Sequence, residues 1–210
     1  MLMLEPLILW APGAGAPSSS AWMRRFGERL GAYGRVVALD YPYQAQGRKL
    51  PDRLPVLIAA HAEALDAARQ DHRGPVVLAG KSMGSRVSCH VSLQRQVDAV
   101  ICFGYPLRGG GRKATLRDEV LRAMTTPVLF VQGTRDPLCP LDLLVPLLRQ
   151  LQAPSRLHVV ESGDHSLQAT RTWLTHQRLT QEQLEASVFE AVGQFIAEHA
   201  HTAPRSGAPK

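Results

Sequence analysis

The chain of 210 residues is long enough to bury a hydrophobic core, and 45% hydrophobic with 20% charged residues is the composition of an ordinary globular protein. Its formal net charge of +6 could suit nucleic acid or an anionic membrane. The basic residues are scattered, however, without a long basic run or interleaved aromatic residues, so nucleic acid is not an expected partner. We predict a single domain over residues 1–200 and a flexible tail over residues 201–210, which hold two prolines and a glycine.

Cysteine spacing and apolar runs predict a cytoplasmic protein. The three cysteines form no C-x-x-C pair, which argues against a disulfide framework or a zinc site. The apolar stretch over residues 7–11 is too short for a signal peptide and no basic segment precedes it. No run approaches the ~18 apolar residues of a membrane-spanning helix, so a membrane is not an expected partner. The cysteines are Cys89, Cys102 and Cys139.

Short apolar runs alternate with longer amphipathic stretches along the chain. The runs are rich in Val, Ile and Leu, which is typical of strands buried on both faces of a parallel sheet. Helical periodicity follows residue 21, recurs over residues 55–69 and 141–151, and returns after a capping-box pattern at Thr180 and Gln183. The alternation predicts an α/β fold, a three-layer α/β/α sandwich around a mostly parallel sheet of about six strands. The predicted strands are residues 7–11, 35–40, 75–79, 97–103, 127–131 and 156–161.

The strongest chemical signal is a G-x-S-x-G motif at residues 80–84, GKSMG, between the predicted strand over residues 75–79 and a helical stretch. A serine on a sharp strand-to-helix turn has a strained backbone, and glycines on both sides leave room for the close packing of that turn. The turn would lift the Ser82 hydroxyl above the sheet edge and direct the Met83 N–H to the same point. An ordinary tight turn is the alternative. We take Ser82 as the candidate nucleophile.

A serine hydroxyl needs a base to become a nucleophile, and His165 is the candidate. It lies in the stretch ESGDHS beyond the last predicted strand, where the carboxyl ends of parallel strands place functional loops. The other histidines fall inside predicted helices or strands, in polar stretches or near the C-terminus. These are His61, His72, His90, His158, His176, His199 and His201.

Asp136 is the candidate acid that would fix the tautomer of His165 and stabilise its charged form. It follows the predicted strand over residues 127–131, and the order Ser82, Asp136, His165 is the chain order of the α/β-hydrolase triad. A turn aspartate exposed to solvent is the alternative. Asp164 adjoins the histidine and is interpreted as shaping the loop, and Asp40 precedes the nucleophile, against that order.

The tetrahedral intermediate of acyl transfer needs two N–H donors. Met83 would supply one, and the loop after the first strand, Ala11-Pro12-Gly13-Ala14-Gly15, would supply the other. We favour the N–H of Ala14, with Gly13 as the alternative. A phosphate-binding loop is less well supported, because this one lacks the third glycine of G-x-G-x-x-G and the Lys-Ser/Thr of a P-loop.

Several segments together resemble small α/β-hydrolases of the dienelactone-hydrolase-like kind. More narrowly, they are similar to short bacterial proteins related to the hydrolase-like domain of the eukaryotic NSL chromatin complex and its testis-expressed relatives. The resemblance implies the α/β-hydrolase fold but no substrate, since true dienelactone hydrolases use a cysteine nucleophile. The family usually has His-Gly where this chain has Pro12-Gly13. The segments are APGAGAP (11–17), DYPYQAQGRK (40–49), GKSMGSR (80–86), GYPL (104–107), VLFVQGTRDPL (128–138) and GDHS (163–166).

The connection over residues 104–126 is too short for the helical lid that many relatives insert after this strand. We predict no lid domain, and therefore an open site that favours short acyl groups. Tyr43, Tyr105 and Trp173 are candidates for substrate binding. The basic residues of the connection either belong to a solvated loop or steer an anionic substrate. They are Arg108, Arg112, Lys113 and Arg117.

These residues predict a carboxylesterase-like serine hydrolase that cleaves a small-molecule ester or thioester through an acyl-enzyme intermediate. The chemistry requires no cofactor and no metal. Two alternatives stay open, a non-catalytic interaction module that keeps the fold and a peptidase or acyltransferase that uses the same triad. Pocket shape, and not the triad, would select among the acyl-transfer reactions.

Overall fold

The computed structural model describes residues 4–109 and 115–200. Within them, parallel strands form one sheet in the order β2-β1-β3-β4-β5-β6. The strand order reverses between β1 and β3, and the crevice at the carboxyl ends of two such strands is the usual ligand site of open α/β sheets. The strands are β1 (Leu7–Ala11), β2 (Arg35–Ala38), β3 (Val76–Lys81), β4 (Ala99–Phe103), β5 (Val128–Gly133) and β6 (Ser155–Val160).

Helices cover both faces of the sheet, which makes the fold a three-layer α/β/α sandwich, as predicted. Across the two described ranges, no helix is both long enough and apolar enough to cross a membrane. The helices are α1 (Ala21–Leu30), α2 (Pro42–Ala45), α3 (Leu54–Ala68), α4 (Met83–Ser92), α5 (Glu119–Ala123), α6 (Leu141–Leu148), α7 (Arg171–Gln177) and α8 (Gln181–His199).

Two hydrophobic clusters, one on each face of the sheet, hold the layers together. Consecutive side chains of a strand point to opposite faces, so Leu9 of β1 belongs to one cluster and Trp10 to the other. The first cluster includes side chains of α3, α4 and α6, and the second includes Phe26 of α1 and Val192 of α8. Because β1, β3, β4 and β5 are buried along their whole length, their sequences are nearly continuous apolar runs.

The predicted elements are present, with differences at their ends. β3 continues to Lys81 and β5 to Gly133, because pairing with β4 and β6 extends each strand beyond its apolar run. The capping box of α8 is confirmed, since the Thr180 hydroxyl accepts from the Gln183 N–H at 3.1 Å and the Gln183 side chain accepts from the Thr180 N–H at 2.9 Å. Ser20 lies at the N-cap of α1, but its side chain makes no capping hydrogen bond.

The connection between β4 and β5 is described in part. Arg108 and Leu116 form an isolated antiparallel bridge, and α5 follows them. Arg112 and Lys113, together with the predicted tail over residues 201–210, lie outside the described residues.

Candidate active site

Ser82 lies between the end of β3 and the start of α4, in a backbone conformation with φ 50° and ψ −112°. A positive φ is uncommon for a residue with a side chain and is strained, as expected of a nucleophile turn. The flanking positions must be glycine because neither has room for a Cβ. A Cβ on Gly80 would lie 2.4 Å from backbone atoms of Gly84 and Ser85, and one on Gly84 would lie 2.5 Å from the Ala11 carbonyl oxygen.

His165 follows β6, and its imidazole reaches the serine. Its Nε2 lies 2.8 Å from Ser82 Oγ. The loop that carries it is held by Asp164, whose Oδ1 accepts from the N–H groups of Ser166 at 2.7 Å and Gln168 at 3.0 Å. Asp164 therefore shapes the loop, as the sequence predicts. The Trp22 indole N–H adds a bond to the Ser166 carbonyl at 3.0 Å, which ties the loop to α1.

Asp136 follows β5 and completes the chain of hydrogen bonds, with Oδ2 2.7 Å from His165 Nδ1. Oδ1 accepts from the Leu138 N–H at 2.9 Å, and Oδ2 also accepts from the Gln132 amide at 2.6 Å. Burial alone would raise the pKa of this carboxyl, but the bonds from His165, Leu138 and Gln132 outweigh it and hold the pKa below its usual value. The group is therefore a carboxylate that accepts from the imidazole.

The imidazole of His165 must pass the ends of β4 and β5 to reach Ser82, because these strands lie between β3 and β6 in the sheet. A glycine at position 104 leaves the space for it. Gly104 follows β4 with φ +62°, and a Cβ there would lie 2.9 Å from the His165 carbonyl oxygen and 3.4 Å from His165 Nδ1. A side chain at the end of β4 would occupy the space that the histidine uses.

Lys81 is a site residue that the sequence analysis did not single out. Its side chain is 8% exposed and donates from Nζ to the His165 carbonyl oxygen. Burial lowers the pKa of this lysine to about 8, although Asp136 and Asp164 partly oppose the shift. The only sequence signal for this role is a charged residue at the end of an apolar strand.

Gln132 is a second site residue that was not singled out, although the sequence contains a signal for it. It is a buried polar residue inside the apolar run of β5, four positions before Asp136. Since a buried amide must find a partner, a glutamine in such a strand indicates a nearby polar group.

The loop after β1 lies beside the nucleophile, and α2 fixes its conformation. Gln44 donates from Nε2 to the carbonyl oxygens of Gly13 at 3.0 Å and Ala16 at 2.9 Å. The N–H and C=O groups of a trans peptide point in opposite directions, so the Ala14 N–H points away from Gln44. Ala14 and Ser82 line the same cavities.

Of the three residues predicted for substrate binding, two are buried. The hydroxyl of the buried Tyr43 donates to the Ala14 carbonyl at 2.9 Å, so this side chain stabilises the loop after β1 from the side of the core. Tyr105 has no exposed surface, because the turn at Gly104 directs it against Phe130. Trp173 is half-buried on α7 and lines neither of the two cavities that contain Ser82.

Two cavities meet at Ser82. The first, of about 400 Å³, is called the α1 cavity and is lined by Ala14, Trp22, Met23, Lys81, Ser82 and His165, among others. The second, of about 430 Å³, is called the arginine cavity and is lined by Ala14, Ser82, Met83, Arg86, Arg108 and Arg117, among others.

Known proteins share this architecture. Est1E from Butyrivibrio proteoclasticus, solved with ferulic acid bound, has a TM-score of 0.70 and 18% identity, over 92% of this chain and 89% of that one. Dienelactone hydrolase from Anabaena variabilis has a TM-score of 0.68 and 20% identity, over 94% of this chain and 88% of that one. An alpha-beta serine hydrolase homologue from Coxiella burnetii has a TM-score of 0.68 and 18% identity, over 90% of this chain and 84% of that one. At these identities the likeness concerns the fold.

A family model described as an alpha/beta hydrolase domain matches residues 5–197, nearly the whole chain. The matched range contains the six strands of the sheet and the residues Ser82, Asp136 and His165. The chain belongs to the alpha/beta-hydrolase domain family.

Proposed function

We propose that the protein is a serine hydrolase that cleaves a small ester or thioester. Ser82 Oγ attacks the carbonyl carbon while His165 Nε2 takes the hydroxyl proton, and the carboxylate of Asp136 stabilises the resulting imidazolium. The N–H groups of Met83 and Ala14, with Gly13 as the alternative to Ala14, bind the oxyanion. The alcohol or thiol leaves with the proton from His165, and water then releases the acid from Ser82 by the same steps.

One observation carries this proposal. The two hydrogen bonds Ser82 Oγ to His165 Nε2, at 2.8 Å, and His165 Nδ1 to Asp136 Oδ2, at 2.7 Å, form an unbroken path for proton transfer at the carboxyl edge of the sheet. A scaffold would need neither the path nor the strained backbone at Ser82.

We propose short, accessible substrates and a site without a lid domain. In support, α5 is the single helix in the described part of the connection between β4 and β5, and it has five residues. The cavities at Ser82 measure about 400 and 430 Å³, at the lower end of the range of small-molecule sites, which favours a small substrate.

The test is covalent labelling and turnover with a matched serine control. A fluorophosphonate probe is expected to label wild-type protein at Ser82 and to leave Ser82→Ala unlabelled. Ser187→Ala, at an exposed position of α8, should be labelled like wild type. On a panel of 4-nitrophenyl esters from acetate to decanoate, Ser82→Ala should lose activity by up to about 10⁶-fold.

The same experiment separates the alternatives. A non-catalytic interaction module would show no turnover that depends on Ser82, and equal labelling of the wild type and Ser82→Ala would contradict the nucleophile assignment. A peptidase or acyltransferase would be labelled at Ser82 but would prefer an amide substrate, or an alcohol or amine acceptor over water.

We also propose the narrower kinship with the bacterial relatives of the NSL-complex domain, which the six sequence segments support.

We propose a cytoplasmic location as well. In support, the three cysteines, Cys89, Cys102 and Cys139, are odd in number and form no C-x-x-C pair.

A further inference from the structure

We propose that the arginine cavity binds a carboxylate at the far end of the acyl chain, so that the preferred substrate is an ester of a dicarboxylic acid with one acid group free. This inference rests on the proposed function, because it places the acyl group of the Ser82 reaction.

Three arginines, Arg86, Arg108 and Arg117, line one cavity together with Ser82. Arg86 lies on α4, one turn after Ser82. Arg108 and Arg117 lie on the two arms of the β4–β5 connection, which are joined by the bridge between Arg108 and Leu116 and by the bond from the Arg117 N–H to the Leu107 carbonyl at 2.7 Å. The cations are thus held on the side of the nucleophile where α4 begins.

The three arginines of this cavity form no ion pairs of their own within the described part of the chain. Over the described ranges, none of the three has a carboxylate within ion-pair distance, whereas five arginines elsewhere do. A guanidinium matches a carboxylate with two parallel hydrogen bonds, so an unpaired cluster beside a reacting centre suits an anionic substrate group. The paired arginines are Arg25, Arg48, Arg95, Arg122 and Arg156.

Arg86 has a buried hydrogen-bond donor from which a bound anion could accept. Its Nε is buried and, in the part of the chain that the structure describes, has no hydrogen-bond partner. Burial lowers the pKa of this arginine and the Arg117 guanidinium lowers it further, whereas Tyr105 and Glu119 partly oppose the shift. A bound carboxylate would offset both effects, since an opposite charge favours the charged form.

Asp52 is the carboxylate that lines the same cavity, and it does not neutralise the cluster. Its Oδ1 accepts from Arg48 Nη2 at 2.8 Å, and Arg48 does not line the cavity. The charge of Asp52 is therefore shared with Arg48, although its Oδ2 is buried and has no hydrogen-bond partner among the described residues. The lining still holds three arginines against this one carboxylate.

The position of His165 decides which part of the ester enters which cavity. The leaving oxygen must accept a proton from His165 Nε2, so the alcohol portion must lie within reach of the imidazole. His165 lines the α1 cavity and does not line the arginine cavity. The alcohol therefore occupies the α1 cavity, and the acyl chain extends from Ser82 towards Arg86, Arg108 and Arg117.

The experiment compares 4-nitrophenyl hydrogen adipate with its neutral counterpart, 4-nitrophenyl methyl adipate, which have the same acyl length and leaving group. We expect wild-type kcat/KM to be about 10- to 100-fold higher for the charged ester, as a charge-assisted hydrogen bond would give. Arg108→Gln, at an exposed side chain, should bring this ratio towards 1, and Arg86→Lys should lower it. Arg73→Gln, the same charge change at the other end of β3, should keep the wild-type ratio.

The outcomes are separable from those of the proposed function. Turnover of both esters that depends on Ser82 but shows no preference for the charged one would overturn the inference alone. If neither ester is turned over, binding of methyl hydrogen adipate to Ser82→Ala decides it, since Arg108→Gln must weaken that binding. A preference that resides instead in a sulfonate on the leaving phenol would overturn the assignment of the acyl side.

Discussion

The side-chain ammonium of Lys81 donates a hydrogen bond to the main-chain carbonyl oxygen of His165, which joins the residue before the nucleophile to its candidate base. The same ammonium lies 5.5 Å above the ring of Trp22, and the Trp22 indole holds the next carbonyl of the loop, that of Ser166. Two residues of different elements thus fix the histidine loop through its backbone. The arrangement requires a nearly buried cation, which costs stability.

Replacing Lys81 by methionine should change how the free energy of unfolding depends on pH. The folded pKa of about 8 lies below the unfolded value of about 10.4, so the unfolded state binds more protons between these pH values and wild-type stability rises there. Relative to Lys81→Met, the wild type should gain on the order of 3 kcal/mol from pH 7.5 to 10.5. Denaturant titrations of both proteins at several pH values measure this, and parallel curves would contradict the buried position of the charge.

Asp136→Asn should keep the fold and lose the chemistry. The amide can donate to His165 Nδ1 and so favours the tautomer that cannot accept the serine proton, for which a fall in kcat of about 10⁴-fold is expected. Turnover and thermal unfolding should be measured together. A variant that unfolds at the wild-type temperature yet keeps wild-type kcat would remove Asp136 from the mechanism.

The glycines of the nucleophile turn should differ sharply from a nearby glycine in their tolerance of a methyl group. Gly80→Ala places a Cβ 2.4 Å from backbone, so we expect a loss of roughly 3 kcal/mol or more, or failure to fold. Gly15→Ala meets nothing within 4 Å and should unfold near the wild-type temperature. Thermal melts of the pair test this, and equal midpoints would contradict the packing of the turn.

His61→Leu should make the protein less sensitive to acid. Burial lowers the pKa of His61 to about 3, so between pH 6.5 and 3 the unfolded state binds the extra proton and the wild type loses stability as the pH falls. Relative to His61→Leu, the wild type should lose about 2 kcal/mol from pH 7 to 5. Unfolding titrations at the two pH values give the difference, and no change would mean that the imidazole is solvated.

The candidate triad could be predicted from the sequence because its geometry follows from topology. Ser82, Asp136 and His165 lie in the segments that follow β3, β5 and β6, and parallel strands bring their carboxyl ends to one edge. The runs of β3 and β5 are nearly continuous because both strands are buried on both faces, whereas β6, which precedes His165, is only partly buried.

The surroundings of the triad could not be predicted in the same way. Tyr105 was expected in the substrate pocket, but the positive φ of Gly104 turns its side chain into the core, and no local pattern reports the direction of that turn. Trp22 appeared as one apolar residue of α1, although its indole lines the α1 cavity and binds the histidine loop. Such roles depend on how distant loops pack, which pairwise spacing along a chain does not encode.

The presence of separate cavities on the two sides of Ser82 has a consequence for how selectivity could evolve or be engineered. Apart from Ala14 and Ser82, which line both, the α1 cavity is walled by α1, and the arginine cavity by α4, the β4–β5 connection and the start of α3. Because these segments are distinct in the chain, preference for the departing alcohol and preference for the retained acid can be altered independently. Mutations at Ser20 or Met23 would tune the former and mutations at Arg108 or Arg117 the latter, whereas Trp22 and Gly104 should be kept because they position the His165 loop.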